Sequence, residues 1–114
     1  MSNNVMLITG TSKGIGKEIS AFFAQNNYIV EGCSRSDTGI TMTNYNHTNV
    51  DVSDERQVRL WIRNVYKKYG KIDVLICNAG IVKASTMVSV TSTKSFEEYV
   101  NTQLMGTFLA CREV

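Results

Sequence analysis

The chain has 114 residues, with 12 Lys+Arg against 10 Asp+Glu and a formal net charge of +2; that length suffices for one domain core and is too short for two. A hydrophobic content of 43% with only 19% charged residues excludes a disordered chain. No apolar run approaches the ~20 residues needed to cross a bilayer, and so small a net charge gives no reason to expect a polyanionic partner.

The first residues, Met1-Ser2-Asn3-Asn4, lack the basic and apolar stretches of a secretory signal. Val5-Met6-Leu7-Ile8-Thr9 is a short continuous apolar run, the pattern of a strand buried on both faces. It leads into Gly10-Thr11-Ser12-Lys13-Gly14-Ile15-Gly16. A helix is predicted next, with Ile15, Ile19, Phe22 and Phe23 on one side and Asn26-Asn27 as its stop. Residues 28–33 read as a second strand, residues 34–46 as mostly loop, and a third, short strand is predicted within 47–52. Ser53 and Asp54 are N-cap candidates for the clearest helix of the chain, which Gly70 would end after Lys67 and Lys68. At about 100° per residue, Val58, Trp61, Ile62, Val65 and Tyr69 share one face of it, and Arg56, Arg59, Arg63 and Lys67 line the opposite one. Residues 72–77 form a fourth predicted strand that exits through Asn78-Ala79-Gly80. A last helix is predicted from near Ser95, where Ser95-x-x-Glu98 has the form of a capping box. Its apolar stripe of Phe96, Val100, Leu104, Phe108 and Cys111, with Met105 and Leu109 on another face, is still running at Val114. Strands alternating with helices predict an α/β fold with a parallel sheet.

The glycine-rich turn carries the first functional signal. Glycine lets a backbone turn sharply and approach an anion, while the free N–H groups at a helix start point at it. The spacing here, glycines at 10, 14 and 16, differs from the G-x-G-x-x-G dinucleotide fingerprint. Alone it suits a tight turn as well as a phosphate site. Cys33, Cys77 and Cys111 are odd in number, distant in sequence and without CxxC spacing, which suits a reducing cytoplasm and neither a disulfide framework nor a metal site. The arginine stripe reads as the solvated side of its helix, so no nucleic-acid partner is expected. His47, the single His, has no partner residue in the sequence and receives no role.

Thr9-Gly10-Thr11-Ser12-Lys13-Gly14-Ile15-Gly16, Asp51-Val52, Asn78-Ala79-Gly80 and Gly106-Thr107-Phe108 occur in an order that resembles the short-chain dehydrogenase/reductase family along nearly the whole chain. The resemblance implies a Rossmann-type doubly wound parallel sheet, here incomplete, with about four of the usual six strands and three helices. It also implies a nicotinamide dinucleotide cofactor. Gly10, Ser12, Gly14, Ile15 and Gly16 would hold the pyrophosphate, Asp51 would contact the adenine amino group with Val52 beside the ring, and Asn78, Ala79 and Gly80 would close the strand end beside the nicotinamide-side ribose. Plainer readings are that Asp51 only precedes a helix cap and that Asn78-Ala79-Gly80 is a strand-exit turn.

Ser34 falls where NAD-preferring relatives carry an acid, Arg35 follows it, and Lys13 occupies a position that is basic in many NADP-preferring relatives. Two cations converging on a 2′-phosphate favour NADP(H), with NAD(H) as the alternative. Asp37 is the one competing acid nearby, and two ordinary surface cations are the plainer reading. The family's chemistry depends on a Tyr-x-x-x-Lys pair. Four residues after Tyr28, Tyr45, Tyr66, Tyr69 and Tyr99 stand Gly32, Asn49, Gly70, Asp73 and Gln103, so the pair is absent. Gln103 lies at the family's Asn position counted back from Gly106, with Asn101 two residues earlier; an amide bordering the apolar helix face is the plainer reading.

The expectation is therefore a partial dinucleotide-binding domain over residues 1–114, truncated inside its last helix and inactive alone. The whole enzyme would be a cytoplasmic oxidoreductase acting on a small carbonyl or alcohol, and a homo-oligomer, with no membrane partner. The alternative is a non-catalytic nucleotide-binding module complete at this length. An apolar edge on the fourth strand is expected to lie open.

Overall fold

In the computed structural model, which describes residues 3–81 and 87–114, the N-terminal apolar run becomes strand β1 (Val5–Thr9), buried along its whole length. Strand β2 (Ile29–Ser34) pairs with one side of β1 and strand β4 (Val74–Ile76) with the other, while β3 (Tyr45–Asn49) lies outside β2. All pairings are parallel and the order is β3-β2-β1-β4. The chain thus works outward from β1 to β3 and then crosses to its other side. That reversal leaves a crevice beyond the carboxyl ends of the strands, the usual ligand position in open α/β sheets.

Alternation along β1 divides the core into two layers. Val5 and Leu7 join Val58, Trp61, Ile62, Val65 and Leu109 on one face, and Met6 and Ile8 join Ala24, Val30 and Tyr45 on the other. Helix α2 (Glu55–Tyr69) has the predicted limits: the Asp54 side chain accepts from Gln57 N at its start, and Gly70 ends it in the left-handed region at φ 75°. Its four central apolar residues are buried, as their spacing predicts. Among the described residues, no helix is long and apolar enough to cross a membrane.

Three sequence expectations need correction. Helix α1 (Gly14–Gln25) buries Gly16, Ser20 and Ala24, whereas Ile15 and Phe22 are 71% and 59% exposed. The helix starts so close to the glycine turn that only small side chains fit beneath it: a Cβ on Gly16 would lie 2.1 Å from the Gly10 carbonyl oxygen. Strand β3 begins at Tyr45, earlier than hydrophobicity suggests, because its inward residues are polar groups that find buried partners. Finally, the last helix starts at Thr93, with Ser92 and not Ser95 as the cap, accepting from Ser95 N at 3.1 Å.

That last helix runs as α3 (Thr93–Tyr99), a π-type turn (Val100–Met105) and α4 (Gly106–Glu113). The predicted stripe is mostly outside, with Phe96, Leu104 and Phe108 exposed, while Gly106, Leu109 and Ala110 are buried. Gly106 fixes this orientation, since an added Cβ would sit 2.8 Å from Val52 Cγ2. Arg59, from the charged stripe of α2, pairs at 2.8 Å with both Glu55 and Glu113 and ties α4 down.

Polar ties hold the sheet ends. Val5 N donates to Asp73 Oδ2 at 2.7 Å and Lys71 pairs with the same oxygen at 3.1 Å; the Val5 amide and then Lys71 hold the Asp73 carboxyl below its usual range. Glu31, buried in β2, accepts from Tyr69 Oη at 2.7 Å and Asn46 Nδ2 at 2.8 Å. Cys33 is fully buried, and burial pushes its thiol up to about 12. Cys77 and Cys111, distant in sequence, are brought into thiol–thiol contact, and both are exposed and unpaired.

Candidate functional site

The glycine turn sits at the crevice and is fixed from both sides. Gly10 and Gly14 take left-handed φ values of 77° and 64°, which other residues adopt at a cost. Gly10 N and Thr11 N both donate to the Cys33 carbonyl, at 2.8 and 3.1 Å, which pins the turn to β2. On the other side, Thr9 Oγ1 accepts from Asn78 N at 3.0 Å and Ala79 N at 2.9 Å, while Asn78 Nδ2 donates to the Gly10 carbonyl at 3.0 Å. Helix α1 begins at this turn without a side-chain cap and without an acidic residue in its first turn. Its N–H groups and positive dipole end are thus left to an outside anion.

A cavity of about 420 Å³ opens in front of the turn. Ser12 and Lys13 come to it from the turn, Ser34, Arg35 and Ser36 from the end of β2, Val50, Asp51 and Val52 from the segment after β3, and Ala79, Gly80 and Ile81 from the exit of β4. Gly10 and Thr102 complete the wall. Nine of the residues singled out in the sequence therefore meet at one cavity: Gly10, Ser12, Lys13, Ser34, Arg35, Asp51, Val52, Ala79 and Gly80. Among the described residues neither Lys13 nor Arg35 has an ion-pair partner. The competing acid, Asp37, accepts from Asn49 Nδ2 at 3.1 Å.

Five other predicted residues are not on this wall. Gly14, Ile15 and Gly16 shape the turn behind it, and Asn78 spends its amide on the Gly10 carbonyl. Gln103 is exposed, its side chain beside Gly80. Asp51 sits at the entry to α2, where its Oδ1 accepts from Ser53 N at 3.0 Å and Ser53 Oγ at 2.7 Å, and it also lines the cavity. Ser36, Val50, Ile81 and Thr102 were not anticipated as site residues. The signal for Thr102 is Gly106, one helical turn later on the face that packs on Val52. A second hollow of about 290 Å³ adjoins the first, sharing Arg35, Asp51, Ile81 and Thr102 with it and adding Asn101.

His47 has partners that its sequence neighbours do not reveal. Its Nδ1 lies 2.8 Å from Tyr45 Oη and 3.3 Å from Thr11 Oγ1, and its Nε2 lies 2.9 Å from the Ser36 carbonyl and 3.1 Å from Ser34 Oγ. The histidine therefore bridges the glycine turn and the loop after β2. Parallel pairing places it opposite Gly32, on the face of the sheet that carries Tyr45. Among the described residues no group of three or more His, Cys, Asp or Glu side chains is arranged to hold a metal ion.

Comparison with known proteins gives the same family from sequence and from structure. A family model described as short chain dehydrogenase matches residues 4–114. An uncharacterized oxidoreductase of Bacillus subtilis is 29% identical, covering 100% of this chain and 48% of its own length. A solved structure of ElxO with NADP bound superposes with a TM-score of 0.88 at 33% identity, over 97% of this chain and 48% of that one. A 3-ketoacyl-(acyl-carrier-protein) reductase from Brucella melitensis complexed with NADH gives a TM-score of 0.90 at 26% identity, over 96% of this chain and 48% of that one. The chain spans about half the length of the curated relatives it matches.

Proposed function

Because the chain belongs to the short chain dehydrogenase family, we propose that it is the dinucleotide-holding part of an NADP(H)-dependent oxidoreductase acting on a small carbonyl or alcohol. The observation that carries this reading is the single cavity at which the exits of all four strands and the glycine turn meet. Solved neighbours described with NADP or NADH bound support the cofactor class.

The residues present fit such a group. The uncapped start of α1 and the left-handed turn at Gly10 and Gly14 would receive the pyrophosphate. Asp51 and Val52 would take the adenine, and Ala79 and Gly80 would border the nicotinamide-side ribose. Lys13 and Arg35, which lack acidic partners among the described residues, would neutralise a 2′-phosphate. Asn78 acts indirectly, by fixing the Gly10 carbonyl. The bound nicotinamide supplies the hydride chemistry. This chain orients the cofactor and contains no Tyr-x-x-x-Lys pair, so it turns over no substrate by itself. The whole protein would be cytoplasmic, in keeping with three unpaired thiols, and would self-associate through the exposed apolar side of α3 and α4.

Titration of the chain with NADPH and NADH tests this. The expected result is saturable binding of both, with NADPH tighter by about tenfold, a difference of about 1.4 kcal/mol. Binding of neither, or a preference for NADH, would refute it.

A further inference from the structure

The Ser36 carbonyl receives two donors at once, His47 Nε2–H at 2.9 Å and the Ser34 hydroxyl. A carbonyl oxygen only accepts, so Nε2 carries a proton, while Nδ1 is hydrogen-bonded to the Tyr45 hydroxyl at 2.8 Å. Tyr45 Oη is 2.6 Å from Thr11 Oγ1, inside the glycine turn. Burial pushes the Tyr45 hydroxyl up to about 12, which keeps it a donor. Gly32 makes room for this relay: an added Cβ would lie 2.3 Å from Tyr45 Oη and 2.8 Å from Thr11 Cγ2. Thr11, Tyr45 and Ser34 are buried, so a donor lost between the glycine turn and β3 would not be replaced freely by water, whereas Ser36 is exposed.

With the imidazole on the Ser36 carbonyl, one of the two donors is spare. The Ser34 hydroxyl can then turn toward the cavity it lines without leaving a carbonyl unpaired. Take the imidazole away and Ser34 becomes the carbonyl's sole side-chain donor. We propose that His47 is a positioning residue for cofactor selection: by holding the Ser36 carbonyl it releases the Ser34 hydroxyl, beside Arg35, to donate to the 2′-phosphate of NADP(H). This rests on the dinucleotide reading above. NAD(H) has no phosphate at that position and gains nothing comparable from the release.

The test is calorimetric titration of the chain with NADPH, NADH, adenosine 2′,5′-bisphosphate and 5′-AMP. His47→Leu is expected to weaken NADPH and the bisphosphate by about tenfold while NADH and AMP stay within about threefold. His47→Gln, whose amide nitrogen can occupy the Nε2 position, is expected to return NADPH to within about threefold of wild type. Ser34→Ala should give the same selective loss, and adding His47→Leu to it should cost nothing more. Equal losses for all four ligands, or no selective loss, would overturn the proposal. Should His47→Leu fail to fold by circular dichroism, Ser34→Ala with unchanged NADPH preference overturns it. A wild-type chain that binds none of the four ligands overturns the dinucleotide reading itself, and one that binds NADPH and NADH alike overturns only the selection.

Discussion

Replacing Gly16 by Ala sets two effects of opposite sign against each other. Helix propensity alone would stabilise α1 by at most about 1 kcal/mol. Against this, the new Cβ would lie 2.1 Å from the Gly10 oxygen and 2.4 Å from Asn78 Nδ2, and relief even to 3.0 Å requires the helix start and the glycine turn to separate. A methyl forced into a packed site costs about 1–3 kcal/mol. Displacing Asn78 also breaks its 3.0 Å bond to the Gly10 carbonyl, about 1–3 kcal/mol more if that oxygen is left buried and unpaired. The net expectation is a loss of about 1–5 kcal/mol. Urea unfolding followed at 222 nm measures it, with Gly70→Ala as control; an added Cβ there meets nothing within 4 Å, so only left-handed strain of about 1–2 kcal/mol applies. A Gly16→Ala chain as stable as wild type, or more stable, would refute the close-contact argument.

The orientation of the last helix predicts that Leu109→Ala costs about 2–5 kcal/mol, whereas Phe108→Ala, at a position 54% exposed, stays within about 0.5 kcal/mol; comparable losses in urea melts would refute the assigned face. The Asp73 carboxyl is held below its unfolded value, so its contribution is complete above about pH 4 and disappears as pH falls through the lower folded value. The gap in melting temperature between wild type and Asp73→Asn should accordingly close on acidification, and a gap that widens would contradict the assignment. Lys13→Ala and Arg35→Ala should each weaken NADPH by about tenfold and leave NADH within about threefold; equal weakening of both nucleotides would remove them from phosphate recognition.

Where a residue's environment is set by its own segment, the sequence was informative. The continuous apolar run of β1 and the capped, one-sided pattern of α2 translate directly into buried elements. So do the motifs at strand exits, because a parallel sheet brings successive exits to the same edge and thus Ser12, Ser34, Asp51 and Ala79 to one cavity. Misreadings arose where contact depends on a distant chain segment. The buried side of α1 is written in small residues, Gly16, Ser20 and Ala24, since closeness to the turn matters there more than hydrophobicity. Asn46 looks like a loop residue and His47 like a strand residue without a partner, yet their partners, Glu31 and Ser36, lie on or next to another strand. The stripe from Phe96 to Cys111 has regular helical spacing, but the π-type turn and Gly106 decide which side meets Val52.

The buried thiol of Cys33 also makes the molecule its own clock. At pH 8 a thiol held near 12 is ionised to about one part in ten thousand, and its location in the middle of the sheet blocks an alkylating reagent besides. Cys77 and Cys111 are exposed, so the reagent reaches both without any opening of the sheet, Cys77 more slowly because burial and then Cys111 push its thiol up to about 11. A maleimide or iodoacetamide time course should therefore show two early adducts and a third whose rate is that of the sheet parting at β2, the strand that binds the glycine turn through the Cys33 carbonyl. Ligands that close the cavity would slow that third adduct in proportion to their occupancy, giving a mass-spectrometric readout of binding that requires neither catalysis nor a chromophore.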